Sequence, residues 1–570
     1  MNSLLYSLWP ELLLTATACL LFVLGAVPSA NARRLVPILA VAALLAVVFG
    51  LLRSEDGGRL MTEPDFTNTV LVGKFALYIK LLSAAVAILF VLLSWPTDPA
   101  RTGNSALNVG TEVGEFFALM LLSITGIFLV ASANDIILLF LGIELASIPT
   151  YIMVSISRPL PVAQEAGVKY FFLGAMAAAL MLFGFSYLYG TTGSTSLLEI
   201  RSKFHPGMGT GQSAWQLLAV IMLLMGFAFK LAAVPLHTYA GDVYQGAATP
   251  VTALLAFVPK TSGIVALIKL LAAASGPDWH APDVIIKLLW IIAVLTMTVG
   301  NILGLMQSNI KRVFAYSSVA HSGYMLVALT ALIAAFGLKD AAEVQTQALA
   351  GVLFYLCAYG IMNTGAFGVL MMLPGRTDTH GRHDADGNPL PTAGSAETFD
   401  DIAGLGRRHI ALGLAMAVAC FSLTGLPLTV GFLGKILIIT PALAFWHTPG
   451  HPFAHMMIWL VVLTMINAAI SAAYYLKIVA FLFLRPEHGE TIGVGAVPRA
   501  AAPLFRSVPV TLAIVLSVFG TLYFGMFWPG ISDLTTRVKS AAAGFVQLPG
   551  TTATATPKPA AVLSARADAR

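Results

Sequence analysis

Residues 222–263 read MLLMGFAFKLAAVPLHTYAGDVYQGAATPVTALLAFVPKTSG, and this stretch decides the fold. Each of its two apolar runs carries a lysine: Lys230 stands five residues before Pro235, and Lys260 is the eleventh residue of a run that begins at 250. A proline inside a helix removes one donor and frees the carbonyl four residues back, here that of Leu231. At membrane depth such an interruption is tolerated only where it is buried in protein or lines a wet cavity. An ionisable group at the centre of a spanning helix costs about 2.5–3.5 kcal/mol, so it tends to be kept for function. The stretch therefore predicts an all-α membrane protein with interrupted helices and buried charge.

The rest of the chain agrees. Of 570 residues 58% are hydrophobic and 10% charged, with a mean hydropathy of +0.85. A soluble domain carries about 25% charged residues, so lipid must be the main solvent. The net charge of +5 is scattered, with no basic helix or arm, which argues against a nucleic-acid partner. Cys19, Cys357 and Cys420 lie in apolar runs without CxxC spacing and read as small core residues. No GxGxxG or P-loop is present, and no metal or cofactor site is expected on this chain; redox chemistry must sit on other chains. The N-terminal apolar stretch has no basic region before it and is long enough to span, so it is not read as a cleaved signal.

Apolar runs predict about fourteen spans, at 3–25, 35–53, 71–95, 115–132, 134–156, 164–190, 215–240, 250–273, 283–305, 310–333, 346–374, 410–441, 456–484 and 508–530. Thirteen Lys or Arg lie in or beside the odd-numbered loops, among them Arg158, Lys311, Arg312, Arg407 and Arg408, against five in the even-numbered ones. The positive-inside rule then places odd loops in the cytoplasm and both termini outside, in a bacterial inner membrane. VKYFFLGAMAAALMLFG in span six is echoed by VLFYLCAYGIMNTGAFG in span eleven, and KLAAVPLHTYAG in span seven by SLTGLPLTVGF in span twelve. A five-helix repeat unit must insert in opposite orientations, which predicts two inverted halves, 115–273 and 283–484. Before them stand helices one to three, 1–114; after them come helix fourteen, 485–530, and a polar tail, 531–570, expected to be disordered.

Depth sorts the charges, at about 1.5 Å per residue in a core roughly 30 Å thick. Glu144, eleventh in its span, and Lys260 lie at the middle. Lys269 stands nine residues after Lys260, near the far end, and is expected to be a hydrated interface anchor. Lys74, Lys80, Lys169 and Lys287 lie near span starts and read the same way. Lys230 fits a cavity beside the freed carbonyl, or else a structural Lys–Glu pair without turnover. Lys435 follows a second interruption, LTGLPLTVGFLGK. If the two Pro-Leu pairs are superposed, Lys230 falls on Ser422, so the two lysines are analogous in role at best. His321, in AYSSVAHSGYMLV, is a relay or a neutral imidazole donating to a carbonyl. His237 and Asp242 follow the Pro235 break and are candidate links to water; Glu11 and Lys477 stay open. Burial moves lysine and glutamate toward neutrality, whereas arginine stays charged, so a Lys/Glu chain suits proton transfer.

In four segments the sequence resembles the antiporter-like membrane subunits of NADH–quinone oxidoreductase (respiratory complex I), and among them the N-type. These are NDIILLFLGIELASIPTYIMVSI, GFAFKLAAVPLHTYAGDVYQGAATPVTALLAFVPKTSG, RVFAYSSVAHSGYMLVAL and FSLTGLPLTVGFLGK. The resemblance implies a proton-pumping module of the membrane arm, with Glu144 and Lys230 as a paired site, Lys260 as central relay and Lys435 opening outward. It implies other membrane-arm and peripheral-arm subunits as partners, with NADH, FMN, iron–sulfur clusters and quinone bound on them. Lysine at 435 argues against the M-type, and the short polar C-terminus argues against the L-type. The rivals are a multi-subunit cation/proton antiporter, a membrane-bound hydrogenase or ferredoxin- or F420-linked complex, and a structural spacer.

Overall fold

In a computed structural model the described residues are 7–27, 29–56, 69–96, 112–158, 160–204, 211–276, 279–373, 396–486 and 507–547. They contain fourteen helices long and apolar enough to cross a membrane. The crossing elements are α1 (Trp9–Ala26), α2 (Ala30–Asp56), α3 (Lys74–Leu93), α4 (Val113–Ser132), α5 (Ile136–Ile156), α6 (Pro161–Thr192) and α7 (Gly211–Lys230). There follow α8 (Thr249–Ala274), α9 (Asp283–Leu305), α10 (Ile310–Ala334), α11 (Ala341–Met372), α12 in two halves (Ile410–Thr424 and Val430–Leu443), α13 (Ala454–Leu484) and α14 (Val508–Met526). The chain is a multi-pass membrane protein.

Two elements lie at the centre: α8 and α10 are buried along their whole length, and α11 nearly so. They carry Lys260, His321 and the tyrosines around them. Elements α6 and α11, five apart, are each 32 residues long, and α7 and α12 are the two interrupted elements. Close crossings are made by small residues, as membrane helices require. A Cβ on Gly114 of α4 would lie 2.3 Å from the Cα of Gly25 in α1.

Some expectations are corrected. Span seven does not run to 240: α7 stops at Lys230, the chain unwinds, and a short helix forms at Ala240–Gly246. Residues Trp528–Val546 form a helix, α15, rather than a disordered tail. Its Leu534, Val538, Ala541 and Phe545 recur every three or four residues and bury one face, with the Phe545 ring 4.6 Å from that of Phe75 in α3. Cys19 is exposed on the apolar surface, while Cys357 and Cys420 are buried as expected. The polar tail beyond 547 lies outside the described residues.

Candidate proton-transfer site

The Pro235 break leaves backbone groups of α7 without helical partners, and side chains supply them. The Leu231 carbonyl, identified in sequence as the freed acceptor, receives the Ser322 hydroxyl of α10 at 2.7 Å. The Phe229 carbonyl receives the Tyr239 hydroxyl at 2.8 Å, and the Val234 N–H donates to Thr296 Oγ1 of α9 at 3.0 Å. Satisfying each group internally is what the membrane demands of an interrupted helix.

Lys230 is the last residue of the α7 helix. Its Nζ donates to Glu144 Oε1 at 3.0 Å, Ser147 Oγ at 2.9 Å and Tyr151 OH at 3.2 Å. Glu144, Ser147 and Tyr151 stand at i, i+3 and i+7 and so share one face of α5. Lys230 is buried, but the Glu144 side chain is 15% exposed. It lies along a stripe of α5 whose Ile137, Leu141, Ile148 and Ile152 are all exposed.

Deeper in, Lys260 on α8 donates to the Ser318 carbonyl of α10, and its Nζ lies 5.5 Å from the Tyr359 ring. The Ser318 hydroxyl bonds with Tyr244 OH at 3.0 Å. Three residues on, His321 has both ring nitrogens engaged by hydroxyls: Nδ1 with Tyr355 OH at 2.5 Å and Nε2 with Tyr475 OH at 2.9 Å. Neither partner is the carbonyl that a purely structural histidine was expected to take. A neutral imidazole donates through one nitrogen and accepts through the other, so the ring joins two hydroxyls. Lys435 completes the line. Its Nζ sits 5.0 Å from the Tyr324 ring and donates to the Thr424 carbonyl at 2.6 Å and to that of Leu423 at 3.1 Å. It therefore caps the C-terminus of the first half of α12, across the break at Gly425.

The structure thus brings Glu144 to Lys230, and places Lys260, His321 and Lys435 along a line of tyrosine hydroxyls and rings. It does not bring His237 or Asp242 to Lys230; among the described residues neither bonds to it. Asp242 is clamped instead between Lys169 at 2.9 Å and Arg312 at 2.6 Å. Partial burial alone would raise its carboxyl, but these two cations hold it below the usual carboxylate range. Ser147 and Tyr151 were not singled out from sequence, although their i+3 and i+7 spacing from Glu144 carried the signal; Tyr355 and Tyr475, far from His321 in sequence, gave none. Two charge clusters were also missed. Glu397 bridges Arg158 at 2.7 Å and Lys311 at 2.9 Å, tying loops of the two halves together. Glu11 and Lys80, the latter set aside as an interface lysine, form a buried pair at 2.7 Å. Lys269 is not exposed at an interface either; it is buried and donates to the carbonyls of Ala131 and Ala133 at 2.8 and 2.5 Å.

The family model for NADH:quinone oxidoreductase and Mrp antiporter membrane subunits matches residues 133–471. The chain belongs to that family. NADH-quinone oxidoreductase subunit N of Trichlorobacter lovleyi is 34% identical over 82% of this chain and 83% of its own length. The F420H2 dehydrogenase subunit N of Methanosarcina mazei is 33% identical over 93% and 97%. A chain of respiratory complex I from Thermus thermophilus superposes with a TM-score of 0.68 at 28% identity, covering 94% of this chain and all of that one. Within the NADH:quinone oxidoreductase family the chain is an N-type subunit, a proton-translocating part of the membrane arm, and other subunits of the complex are its partners.

Proposed function

We propose that protons cross this subunit by way of Glu144, Lys230, Lys260, His321 and Lys435. The supporting observation is the Lys230–Glu144 contact at a helix break, from which protonatable side chains continue to the second break. A carboxylate about 4 Å from an ammonium stabilises it by on the order of 4 kcal/mol at an effective dielectric of 20. The charge on Glu144 therefore governs whether Lys230 keeps its proton. Losing that charge favours transfer inward toward Lys260, and the tyrosine hydroxyls with His321 carry it to Lys435. Glu144 lies partly open on an apolar stripe at mid-depth, a position that suits a neighbouring subunit better than lipid. His237 and Asp242 stand on the water side of the α7 break and serve entry, Asp242 by ordering Lys169 and Arg312.

The functional halves are 115–273 and 283–484, the N-terminal helices lie in 1–114, and α14 falls in 485–530. NADH, FMN, iron–sulfur clusters and quinone are bound by partner subunits. The Methanosarcina relative carries an F420H2 dehydrogenase name, which fits a pump separable from its electron donor. The membrane is the bacterial inner membrane, with odd loops in the cytoplasm and both termini outside.

Lys260 tests the path. Lys260→Met and Lys260→Arg are each expected to leave the complex assembled on a native gel and to lower proton uptake in vesicles at least about tenfold. Guanidinium keeps the charge yet cannot release a proton in the working range, so normal pumping by Lys260→Arg would refute the relay. For orientation, single cysteines at Asp400 and Gln547 are labelled in intact cells with an impermeant thiol reagent. Gln547→Cys is expected to react and Asp400→Cys to stay protected; the reverse pattern overturns the topology.

A further inference from the structure

We propose that Glu11, Lys80 and Lys269 form a second protonatable site, off the central line, that exchanges protons with water on the side of the N-terminus. The inference rests on the chain's proton-translocating role but uses none of the residues assigned to the path above.

Three helices supply the groups: α1, α3 and α8. Counting crossings puts the start of α1, the start of α3 and the end of α8 on one side of the membrane, whichever side that is. All three side chains are buried, at 4%, 3% and 4% exposure. Lys80 lies 2.7 Å from Glu11 and within Coulombic reach of Lys269. The cluster thus holds two amines and one carboxylate. With all three ionised it carries a buried net charge, and loss of one proton makes it neutral. Among the described residues neither carboxylate oxygen of Glu11 receives an aligned hydrogen bond, although the Lys80 ammonium is close.

Lys269 has the access that such a site requires. A cavity of about 30 Å³ lies against it, lined by Asn134, Arg201 and Phe545 among others, and so has room for one water with polar partners. Asn134 and Arg201 belong to the segments flanking α5 and α6 on the side of the N-terminus, and Phe545 to α15, so the cavity lies toward that surface. Lys260 stands nine residues earlier on the same helix, about 13 Å along its axis. In the exchange, the Lys269 ammonium gives one proton to water and becomes a neutral amine. It regains a proton from the interior, and the Lys80–Glu11 pair adjusts by passing one proton from ammonium to carboxylate and back.

The test uses the whole complex in membrane vesicles, measuring NADH oxidation and proton uptake, with native gels and thermal stability for assembly. Lys269→Arg keeps charge and donors and is expected to assemble normally but turn over at least about tenfold more slowly. Glu11→Gln and Lys80→Met are each expected to slow turnover, and the double variant to stay slow. Normal turnover by Lys269→Arg, or recovery of turnover in the Glu11→Gln/Lys80→Met double variant, overturns the proposal in favour of a purely structural cluster. Lys230→Ala measured in parallel separates the two readings. If it is inactive while Lys269→Arg is normal, only this site fails; if it is active while Lys269→Arg is slow, only the central path fails.

Discussion

The two interrupted helices use one device to opposite ends. At α7 the lysine precedes the break and meets a carboxylate, since Lys230 donates to Glu144 as well as to two hydroxyls. At α12 the lysine follows the break and donates to main-chain carbonyls, those of Leu423 and Thr424, beside the Tyr324 ring. An anion stabilises the charged amine by a full Coulomb interaction, whereas carbonyls at a helix C-terminus offer roughly half a charge. Lys230 therefore faces a full opposing charge, and Lys435 only the partial charge of a helix end. The superposition of the Pro-Leu pairs, which set Lys230 on Ser422 and not on Lys435, already pointed to this difference.

The largest expected effect breaks the first arrangement. Lys230→Ala and Glu144→Ala should each leave an assembled complex with pumping reduced about a hundredfold, while Glu144→Asp keeps part of it. Removing one partner also strands a buried charge, so each single variant should lower thermal stability. The pair Lys230→Met with Glu144→Gln should recover that stability without recovering pumping. Recovery of both would mean that the pair only holds the helices together.

A somewhat smaller loss is expected at the second break. Lys435→Arg can still donate to the Leu423 and Thr424 carbonyls, so melting of the complex should shift little while proton uptake falls about tenfold. Lys435→Met should lose both, because two carbonyls at the C-terminus of a half-helix would then lack donors. Equal stability of the two variants would show that the cap is unimportant.

How much of this was legible in the sequence depends on what each feature is made of. Spans are visible because a crossing helix must be apolar for about 20 residues, and the breaks because Pro235, Gly425 and Pro427 cannot sit quietly in a helix. The Leu231 carbonyl could be named in advance from proline geometry alone. Depth along a helix singled out Glu144 and Lys260, yet misjudged Lys80 and Lys269, which are buried rather than exposed at an interface. Position along a helix says nothing about what surrounds it sideways, and α3 and α8 are enclosed by other helices even near their ends. The helix α15 escaped because its apolar residues form a stripe rather than a run, which hydropathy averages away. Tyr355 and Tyr475 meet His321 only through tertiary packing.

Apart from the breaks, Glu397 joins the end of α5 to the start of α10 through Arg158 and Lys311. Burial opposes its charge, but the two cations outweigh burial and hold the carboxyl at about 2. Against an unfolded value of about 4.3, this contributes stability above about pH 4 that is lost as pH falls toward 2. Glu397→Gln should therefore destabilise the detergent-solubilised complex by about 3 kcal/mol at neutral pH and leave turnover per assembled complex near normal. A large loss of turnover at unchanged stability would make the bridge part of the path.

The smallest effect concerns the break itself. Ser322→Ala removes the donor that satisfies the Leu231 carbonyl, while Ser322 also reaches its own helix at the Ser318 carbonyl. A buried acceptor left without a partner costs about 1–3 kcal/mol, and a second lone-pair partner elsewhere on the carbonyl would lessen it. Stability should drop within that range and pumping by no more than a few-fold, because Lys230 keeps its three contacts on α5. Ser322→Thr keeps the hydroxyl and should lie between Ser322→Ala and the parent, limited by the added methyl in a fully buried site. The equivalent change at α12 is Ser422→Ala, whose hydroxyl accepts from the Gly431 N–H at 3.1 Å and so bridges the two halves of that element. If the α7 break is held chiefly by the Lys230 contacts and the α12 break chiefly by main-chain bonds, Ser422→Ala should cost more stability than Ser322→Ala. Thermal melting of the two variants side by side decides it, and the opposite order would mean that the α7 break depends on its backbone partners more than on its ion pair.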